Sequence, residues 1–100
     1  MITVQATRTF EKWLRRLKDL EAANRINARI ARLSYGLIGD DKAVGGGVRE
    51  LRIHHGPGYR LYYVRRAETL ILLLCGGDKS SQDSDIRTAI QLAKGEFQDG

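Results

Sequence analysis

The sequence predicts an α+β fold: one small domain in the order β-α-α-β-β-β-α, with a helical hairpin packed on one face of an antiparallel meander. Three observations predict it. Apolar residues recur with helical spacing in two consecutive segments near the start, alternate or run together in three segments of the middle, and return to helical spacing near the end. With 100 residues and no repeat or linker, the chain is expected to form one domain over residues 1–100.

The first third predicts a strand followed by two helices. Residues 1–6 alternate between apolar and polar, and Thr9 is the expected N-cap of the first helix. The apolar face of that helix consists of Phe10, Trp13, Leu14 and Leu17. Asp19 is the expected N-cap of the second helix. The apolar face of the second helix consists of Ala23, Ile26, Ile30 and Leu33. Because almost no linker separates the helices, we expect an antiparallel hairpin.

The middle of the chain predicts a loop and then the meander. Five glycines within residues 35–47 predict the loop. Residues 48–53 alternate and predict a strand, residues 54–58 predict a turn, and residues 59–64 predict the returning strand. Residues 70–75 are apolar throughout, which is typical of a central strand that is covered on both faces.

The end of the chain predicts one more helix. Ser80 or Ser81 is the expected cap. The inward face of this helix is expected to consist of Ile86, Ala89, Ile90 and Ala93. Residues 95–100 are expected to form a frayed tail.

The chain is basic, and most of its cations are arginines. Seventeen Lys and Arg accompany twelve Asp and Glu, a net charge of +5, and twelve of the seventeen are Arg. A guanidinium group binds phosphate through two parallel hydrogen bonds. The composition leaves two interpretations open: a polyanionic partner, either nucleic acid or an acidic protein segment, or a surface charged for solubility.

The sequence contains no pattern for a disulfide, a membrane span or secretion. Cys75 is the single cysteine, and within its apolar run it is expected to be a buried side chain. That run is too short to cross a bilayer, and the first ten residues lack the apolar core of a signal peptide. We therefore expect a cytoplasmic protein that makes no contact with a membrane.

Three arginines are expected close together on the predicted meander. Arg49 and Arg52 belong to its first strand and Arg60 to its second. Neighbouring cations with little acid between them repel one another unless an anion binds, so the arrangement predicts a phosphate site. The alternative is a solvated sheet face whose ion pairs are formed by Glu50, Asp78 and Asp85.

Two lysines and two histidines extend this set. Lys79 follows the third strand of the meander, and Lys42 lies in the glycine-rich loop. His54 and His55 occupy the turn between the first two strands, and a neutral imidazole there is a suitable proton carrier. Adjacent histidines point in different directions and no third ligand stands at a recognisable spacing, so we predict neither a metal site nor a cofactor.

Three segments of the sequence resemble one family. They are residues 48–53 (VRELRI), residues 58–63 (GYRLYY) and residues 72–82 (LLLCGGDKSSQ). Together they resemble the RelE/ParE superfamily, and more narrowly they are similar to its HigB-like group, the addiction module killer proteins. The resemblance covers nearly the whole chain and implies a RelE-like fold.

The resemblance implies the toxin of a type II toxin–antitoxin system, held inactive by a cognate antitoxin. Many members cleave mRNA in the ribosomal A site without a metal ion, whereas the ParE branch inhibits DNA gyrase. We therefore expect an endoribonuclease that acts on mRNA at the ribosome through the substrate's own 2′-hydroxyl. The alternatives are a non-catalytic gyrase inhibitor and an inert structural module.

The resemblance implies three site residues, Arg52, Arg60 and Lys79, and the residues of the predicted meander and loop add His54, Arg49 and Lys42. The expected catalytic residues are Arg52, His54, Arg60 and Lys79. The expected RNA-binding or phosphate-binding residues are Arg49, Arg52, Arg60, Lys42 and Lys79. The two shared arginines are expected to hold the phosphate, the lysine to neutralise the leaving group, and His54 to accept a proton. The chain departs from RelE at its end, because no tyrosine follows Tyr63.

Overall fold

A five-stranded sheet with helices on both faces forms the centre of the molecule, and the computed structural model describes residues 1–98. The elements are β1 (Thr3–Ala6), α1 (Arg8–Arg16), α2 (Leu20–Leu33), β2 (Asp41–Gly45), β3 (Val48–Ile53), β4 (Tyr59–Arg66), β5 (Leu70–Gly77), a 3₁₀ turn (Lys79–Ser81) and α3 (Gln82–Gln98). The strand order across the sheet is β1-β5-β4-β3-β2.

The predicted meander is confirmed, because β3, β4 and β5 pair antiparallel in sequence order. β1 pairs with β5 in parallel, so the sheet as a whole is mixed. β5 lies between two other strands and has helices on both of its faces, as its continuous apolar run predicts. The single small α+β domain is therefore confirmed.

Two separate cores lie on the two sides of the sheet. We call the side covered by α1 and α2 the hairpin face and the side covered by α3 the α3 face. The hairpin-face core includes Phe10, Ile26 and Leu33 from the helices and Leu51, Leu61, Ile71 and Leu73 from the sheet. The α3-face core includes Val48, Tyr62, Val64 and Leu74 from the sheet and Ala89 and Ala93 from the helix. The predicted inward faces of α1 and α3 are confirmed.

A bulge in β5 changes which side its last residues face. Tyr62 pairs with Cys75 and Tyr63 pairs with Leu73, so Leu74 is an extra residue on β5. Leu74 and Cys75 consequently both belong to the α3-face core. After the bulge, alternation directs Gly76 toward the hairpin face, against Trp13, and Gly77 toward the α3 face, against the first turn of α3.

The prediction of a loop over residues 35–47 is wrong at its end, because residues 41–45 form β2. β2 pairs antiparallel with β3 and forms one edge of the sheet. Gly46 and Gly47 have φ values of +61° and +79°, the left-handed conformation that a two-residue hairpin turn requires at both positions. The glycines that predicted a loop therefore form a tight turn between two strands.

In two places the residue that caps a helix start lies two or three positions before the predicted one. Thr7, not Thr9, caps α1 and accepts a hydrogen bond from the backbone N–H of Phe10. Asp78 accepts from the N–H of Ser80 and opens the 3₁₀ turn before α3, so neither predicted serine is the cap. An acidic side chain competes well for a helix start, which explains the second correction. Asp19 is confirmed as the cap of α2.

Part of the predicted frayed tail is helical. α3 continues through Gln98, whereas residues 99 and 100 lie outside the described residues. In α2, Ala22 rather than Ala23 is the fully buried alanine. Across residues 1–98, no helix has the length and apolar character that crossing a membrane requires.

Gly76 leaves space for an indole, which makes it a sensitive position. A Cβ at Gly76 would overlap the Trp13 ring. We expect Gly76→Ala to lower the free energy of unfolding by about 1–3 kcal/mol, because the indole must leave its position in the core. Urea denaturation measures this. Gly95→Ala is the control, since nothing lies within 4 Å of its added Cβ. Equal stability of Gly76→Ala and the unmodified chain would contradict the close packing.

Candidate functional site

A buried carboxylate lies on the α3 face, surrounded by hydrogen-bond donors. Glu50 belongs to β3, and it is fully buried. Its Oε1 accepts a hydrogen bond from Arg60 Nη1 at 3.0 Å. Its Oε2 accepts from Gln82 Nε2 at 2.8 Å and from the Tyr62 hydroxyl at 3.3 Å. A carboxylate is tolerated away from water only when it is paired and hydrogen-bonded, and Glu50 meets both conditions.

Arg52 and Arg60 lie side by side next to this carboxylate. They are directly opposite each other in the β3–β4 register. Arg52 Nε is 3.9 Å and Arg60 Nη1 is 3.0 Å from Glu50 Oε1. Both arginines keep part of the side chain at the surface, 33% for Arg52 and 14% for Arg60. The predicted proximity of these two guanidinium groups is confirmed.

The two arginines are incompletely hydrogen-bonded within the described chain. The Nε atom of each is buried, and neither has a hydrogen-bond partner among residues 1–98. Buried donors without partners are uncommon and concentrate where a site is built for something other than stability. Glu50 therefore fixes the positions of two guanidinium groups whose hydrogen-bonding capacity it does not fully use.

Asp40 connects Arg52 to His54 at the end of β3. Asp40 Oδ1 is 3.6 Å from Arg52 Nε, and Asp40 Oδ2 is 2.6 Å from His54 Nε2. The hydrogen bond from His54 holds the pKa of Asp40 below its usual value. Because Nε2 donates to this carboxylate, Nδ1 is the ring nitrogen that faces away from the pair. The imidazole is 75% exposed, so a ligand in solution can reach it.

His55 has a different position from His54. Its Nε2 is 3.2 Å from Asp19 Oδ2, and the side chain is 18% exposed. This contact ties the β3–β4 turn to the N-terminus of α2. His55 thus packs against the hairpin, whereas His54 stands beside Arg52.

The two predicted lysines lie on the periphery of this group. Lys42 is opposite Glu50 in the β2–β3 register, so it shares the α3 face with the arginines, and it is exposed. Lys79 is exposed next to the β3–β4 turn, where a Cβ added to Gly58 would lie 3.8 Å from the Lys79 Cβ. Lys79 and Gln82 line one cavity of about 340 Å³.

Arg49 does not belong to this group, contrary to expectation. Strand alternation directs its side chain to the hairpin face, opposite to Glu50 and Arg52. There its Nε donates to Asp41 Oδ2 at 2.6 Å, and the Tyr63 hydroxyl donates to the same oxygen at 2.7 Å. The ion pair with Arg49 holds the pKa of Asp41 low.

The expectation of clustered cations with little acid between them is also wrong. Each of the three arginines has a carboxylate partner: Asp41 for Arg49, Asp40 and Glu50 for Arg52, and Glu50 for Arg60. Asp41 comes from β2 and Asp40 immediately precedes that strand, whose pairing with β3 the sequence did not reveal. The other two carboxylates in the alternative interpretation have local roles, since Asp78 caps the 3₁₀ turn and Asp85 accepts from Ser81.

Three contributors to the site were absent from the sequence prediction. From the sequence, Asp40 falls in the predicted loop over residues 35–47, Tyr62 on the predicted returning strand and Gln82 next to the predicted last helix, and none of them is expected in the site. Recognising β2 from its Gly-Gly turn would have placed Asp40 beside β3. No local signal identifies Gln82, because its contact with Glu50 depends on how α3 crosses the sheet.

The arrangement has the components of an anion site with a neighbouring proton carrier. The guanidinium groups supply forked donors for a phosphate, and an exposed imidazole stands at the same end of the sheet. The structure brings no group of three or more His, Cys, Asp or Glu side chains together as metal ligands within residues 1–98. Cys75 is buried as predicted, and burial raises the pKa of its thiol to about 12, which makes it unsuitable as a nucleophile.

Glu50 is expected to be more important for stability than any exposed acid. Its removal by Glu50→Ala leaves two partly buried arginines without their shared counter-charge. We expect the free energy of unfolding to fall by about 3–5 kcal/mol in urea denaturation. Glu68→Ala, at an exposed turn, is the matched control and should change stability by less than about 0.5 kcal/mol. Similar small changes in the free energy of unfolding of both variants would mean that the Glu50 hydrogen bonds do not stabilise the sheet.

Tyr63 is expected to make stability depend on alkaline pH. Burial raises the pKa of Tyr63 from 10.0 to about 12. A raised pKa in the folded state means that this contribution to stability is complete below pH 10 and is lost as pH rises toward 12. Urea unfolding across this range should show a smaller loss for Tyr63→Phe than for the unmodified chain. Tyr35→Phe, at a 70% exposed side chain, should retain the original pH dependence. An unchanged profile in Tyr63→Phe would exclude this role.

Solved structures share this fold at low sequence identity. The solution structure of the conserved hypothetical protein HP0894 from Helicobacter pylori is 24% identical, with a TM-score of 0.54, over 80% of this chain and 97% of that chain. The crystal structure of YafQ from Escherichia coli BL21(DE3) is 16% identical, with a TM-score of 0.55, over 82% of this chain and 98% of that chain. The fold is thus the RelE-like fold of YafQ, as the sequence resemblance implies.

Sequence comparison finds a relative at higher identity and a matching family. An uncharacterised protein of Haemophilus influenzae (strain ATCC 51907 / DSM 11121 / KW20 / Rd) is 52% identical over 93 residues, which cover 93% of this chain and 94% of that protein. Residues 11–98 match the model of a family described as phage derived protein Gp49-like (DUF891), a match that includes the whole candidate site. The chain belongs to the Gp49-like family.

Proposed function

We propose that this protein is the toxin of a type II toxin–antitoxin pair, similar to the HigB-like group, and that it cleaves mRNA on the ribosome. One observation carries the proposal: a single buried carboxylate holds Arg52 and Arg60 side by side, with His54 at the same end of the sheet. Membership of the Gp49-like family and the RelE-like fold support it.

The proposed reaction uses a nucleophile that the substrate itself provides. The 2′-oxygen of a ribose attacks the adjacent phosphorus, a new bond between them forms, and the bond from phosphorus to the 5′-oxygen breaks. The products are a 2′,3′-cyclic phosphate and a free 5′-hydroxyl. The protein then has three tasks: to accept the 2′-hydroxyl proton, to stabilise the charge on the phosphorane, and to protonate the leaving oxygen.

Four side chains are assigned to these tasks. Arg52 and Arg60 hold the non-bridging phosphate oxygens, because their guanidinium groups are fixed before the substrate binds. His54 accepts the proton at Nδ1, since its Nε2 donates to Asp40, and the carboxylate stabilises the imidazolium that forms. Lys79, across the β3–β4 turn, supplies the proton to the leaving 5′-oxygen.

The remaining predicted residues have secondary parts in this proposal. Lys42, on the same face as the arginines, contacts a neighbouring phosphate. Arg49 lies on the opposite face and pairs with Asp41, so we propose no contact of Arg49 with the reacting phosphate. The sheet face offers a shallow surface, and we propose that the ribosome aligns the mRNA strand upon it.

A cognate antitoxin in the same cytoplasm is the proposed inhibitor. Covering Arg52, Arg60 and His54 with an acidic segment would exclude the mRNA phosphate from the two guanidinium groups. The segment must therefore reach the open rim of the α3 face, where Lys42 and Lys79 also lie. The complex is expected to be sensitive to salt at this rim.

A binding-only inhibitor of DNA gyrase is the second candidate. It is favoured by the acidic partners of the sheet arginines and by the absence of tyrosine after Tyr63. The two candidates differ in what happens to mRNA during growth arrest. Gyrase inhibition leaves transcripts intact and changes the supercoiling of plasmid DNA.

Induced expression in a bacterial host, with primer extension on a translated reporter mRNA, tests the proposal. The central variant is Arg60→Lys, because it keeps a positive charge beside Glu50 and removes only the guanidinium fork. We expect Arg60→Lys, His54→Ala and Lys79→Ala each to lower the cleavage rate on the order of 10²–10³-fold. Lys94→Ala, an exposed lysine on α3, is the matched control.

The outcomes separate the alternatives. Cuts that require translation and disappear in the three variants, with unchanged thermal unfolding, establish the nuclease and its site. Full cleavage by Arg60→Lys and Arg52→Lys would remove the guanidinium pair from the mechanism. Growth arrest with intact mRNA and altered plasmid supercoiling would favour the gyrase inhibitor, and no arrest would leave a structural module.

A further inference from the structure

The helical hairpin carries a net charge as large as that of the whole protein. Residues 8–33 contain eight Lys and Arg and three Asp and Glu, a net charge of +5. The five strands are also positive, with six Lys and Arg and two Asp and Glu, and the acids that balance them lie outside the strands. Near the candidate site, Arg49, Arg52 and Arg60 are paired with carboxylates. The hairpin therefore offers a polyanion a second positive surface.

The cations of α1 form one stripe along the helix. Arg8, Lys12, Arg15 and Arg16 are spaced i, i+4, i+7 and i+8, so at about 100° per residue they lie within one third of the helix circumference. The apolar face of α1 lies on the opposite side, and all four cations are exposed. No ion pair joins any of the four to a carboxylate within residues 1–98.

α1 packs on the end of the sheet that carries the candidate site, and the stripe lies on the outer side of this helix. Trp13, on the inner side of α1, packs edge-on against Tyr59 at 6.2 Å between ring centroids and covers Gly76. Tyr59 and Gly76 are the neighbours of Arg60 and Gly77 along their strands. α1 is thus fixed on the hairpin side of the sheet end that carries the two arginines.

We infer that the α1 stripe is a second RNA-binding surface, which contacts the sugar–phosphate backbone of a double-helical RNA segment. The inference rests on the proposed function, because RNA at the site brings folded RNA to the adjoining surface. It adds a role that the site residues do not have: α1 anchors the protein electrostatically, while the carboxylate-paired arginines of the sheet take part in the chemistry.

The composition of the stripe favours nucleic acid over a protein partner. Protein interfaces place aromatic and apolar residues at their centre and avoid charge there. Among residues 1–95, the exposed large apolar side chains are Met1, Leu20, Tyr35 and Leu37, and α1 contains none of them. Interfaces with nucleic acid are polar and strongly positive, as this stripe is.

The same composition favours double-helical over single-stranded RNA. Proteins that bind single strands stack bases on exposed aromatic rings. The two aromatic side chains of α1, Phe10 and Trp13, belong to the hairpin-face core. A straight cationic stripe about 12 Å long, from residue 8 to residue 16, fits a rigid phosphate backbone and reads no sequence.

A salt titration of RNA binding tests the inference. The purified chain is titrated into a fluorescent RNA duplex of about 16 base pairs, from about 50 to 200 mM salt. The variant is Lys12→Gln/Arg15→Gln/Arg16→Gln. The control is Arg65→Gln/Arg66→Gln/Lys94→Gln, which removes the same charge from three exposed cations that line another cavity.

We expect the α1 variant to bind the duplex at least about tenfold more weakly than the control. The slope of log affinity against log salt should also become shallower by about 3, since three phosphate contacts with a duplex are lost. If both triple variants lost the same amount of duplex affinity, net charge alone would explain the loss, and the inference would be overturned. Unchanged binding by the α1 variant would overturn it as well.

Two further binding measurements identify the partner and separate this inference from the proposed function. Weaker binding of a polyglutamate peptide with unchanged RNA binding would overturn the inference in favour of an acidic protein. Arg60→Lys should bind the duplex like the unmodified chain and lose only cleavage. Duplex binding through α1 in a protein that never cleaves mRNA would retain the RNA-binding surface and reject the nuclease.

Discussion

The buried charge of Glu50 is the constraint on which the rest of this molecule depends. A carboxylate without solvent requires donors, and here they come from two different elements: Arg60 and Tyr62 on β4, and Gln82 at the start of α3. Arg52, on β3 itself, adds a positive charge 3.9 Å away. Satisfying one charge therefore fixes the register of two strands and the approach of a helix. The same network raises the pKa of Tyr62, first through burial and then through the neighbouring carboxylate.

This requirement also determines what the surface can do. Two guanidinium groups are held together against their mutual repulsion because an anion lies between them and the core. Both side chains keep a part at the surface, where a phosphate can approach them. Because Glu50, Asp40 and Asp41 pair with the three arginines near the site, we expect part of the attraction for a polyanion to come from the cations of α1. In this proposal, the anchoring surface and the reacting phosphate lie on opposite sides of the same sheet.

The end of β5 shows how small residues make this geometry possible. The bulge at Leu74 reverses alternation, so that Gly76 lies beneath Trp13 and Gly77 lies beneath Asp85 and Ser81. A side chain at either position would displace α1 or the first turn of α3. Both helices approach the sheet closely at the end of the strands that carries Arg52 and Arg60. The two glycines therefore position the site, although neither contacts a ligand.

The sequence by itself determined the order of the elements, the meander and the proximity of Arg52 to Arg60, because hydrophobic periodicity and strand alternation are local properties. Only the tertiary structure decided that residues 41–45 form a strand, since pairing with β3 outweighs a glycine-rich composition. It also decided that Asp40 and Gln82 lie beside the two arginines, whereas strand alternation alone directs Arg49 and Arg52 to opposite faces. These contacts join residues that are distant in sequence, and they follow from register and helix crossing, which no local pattern encodes.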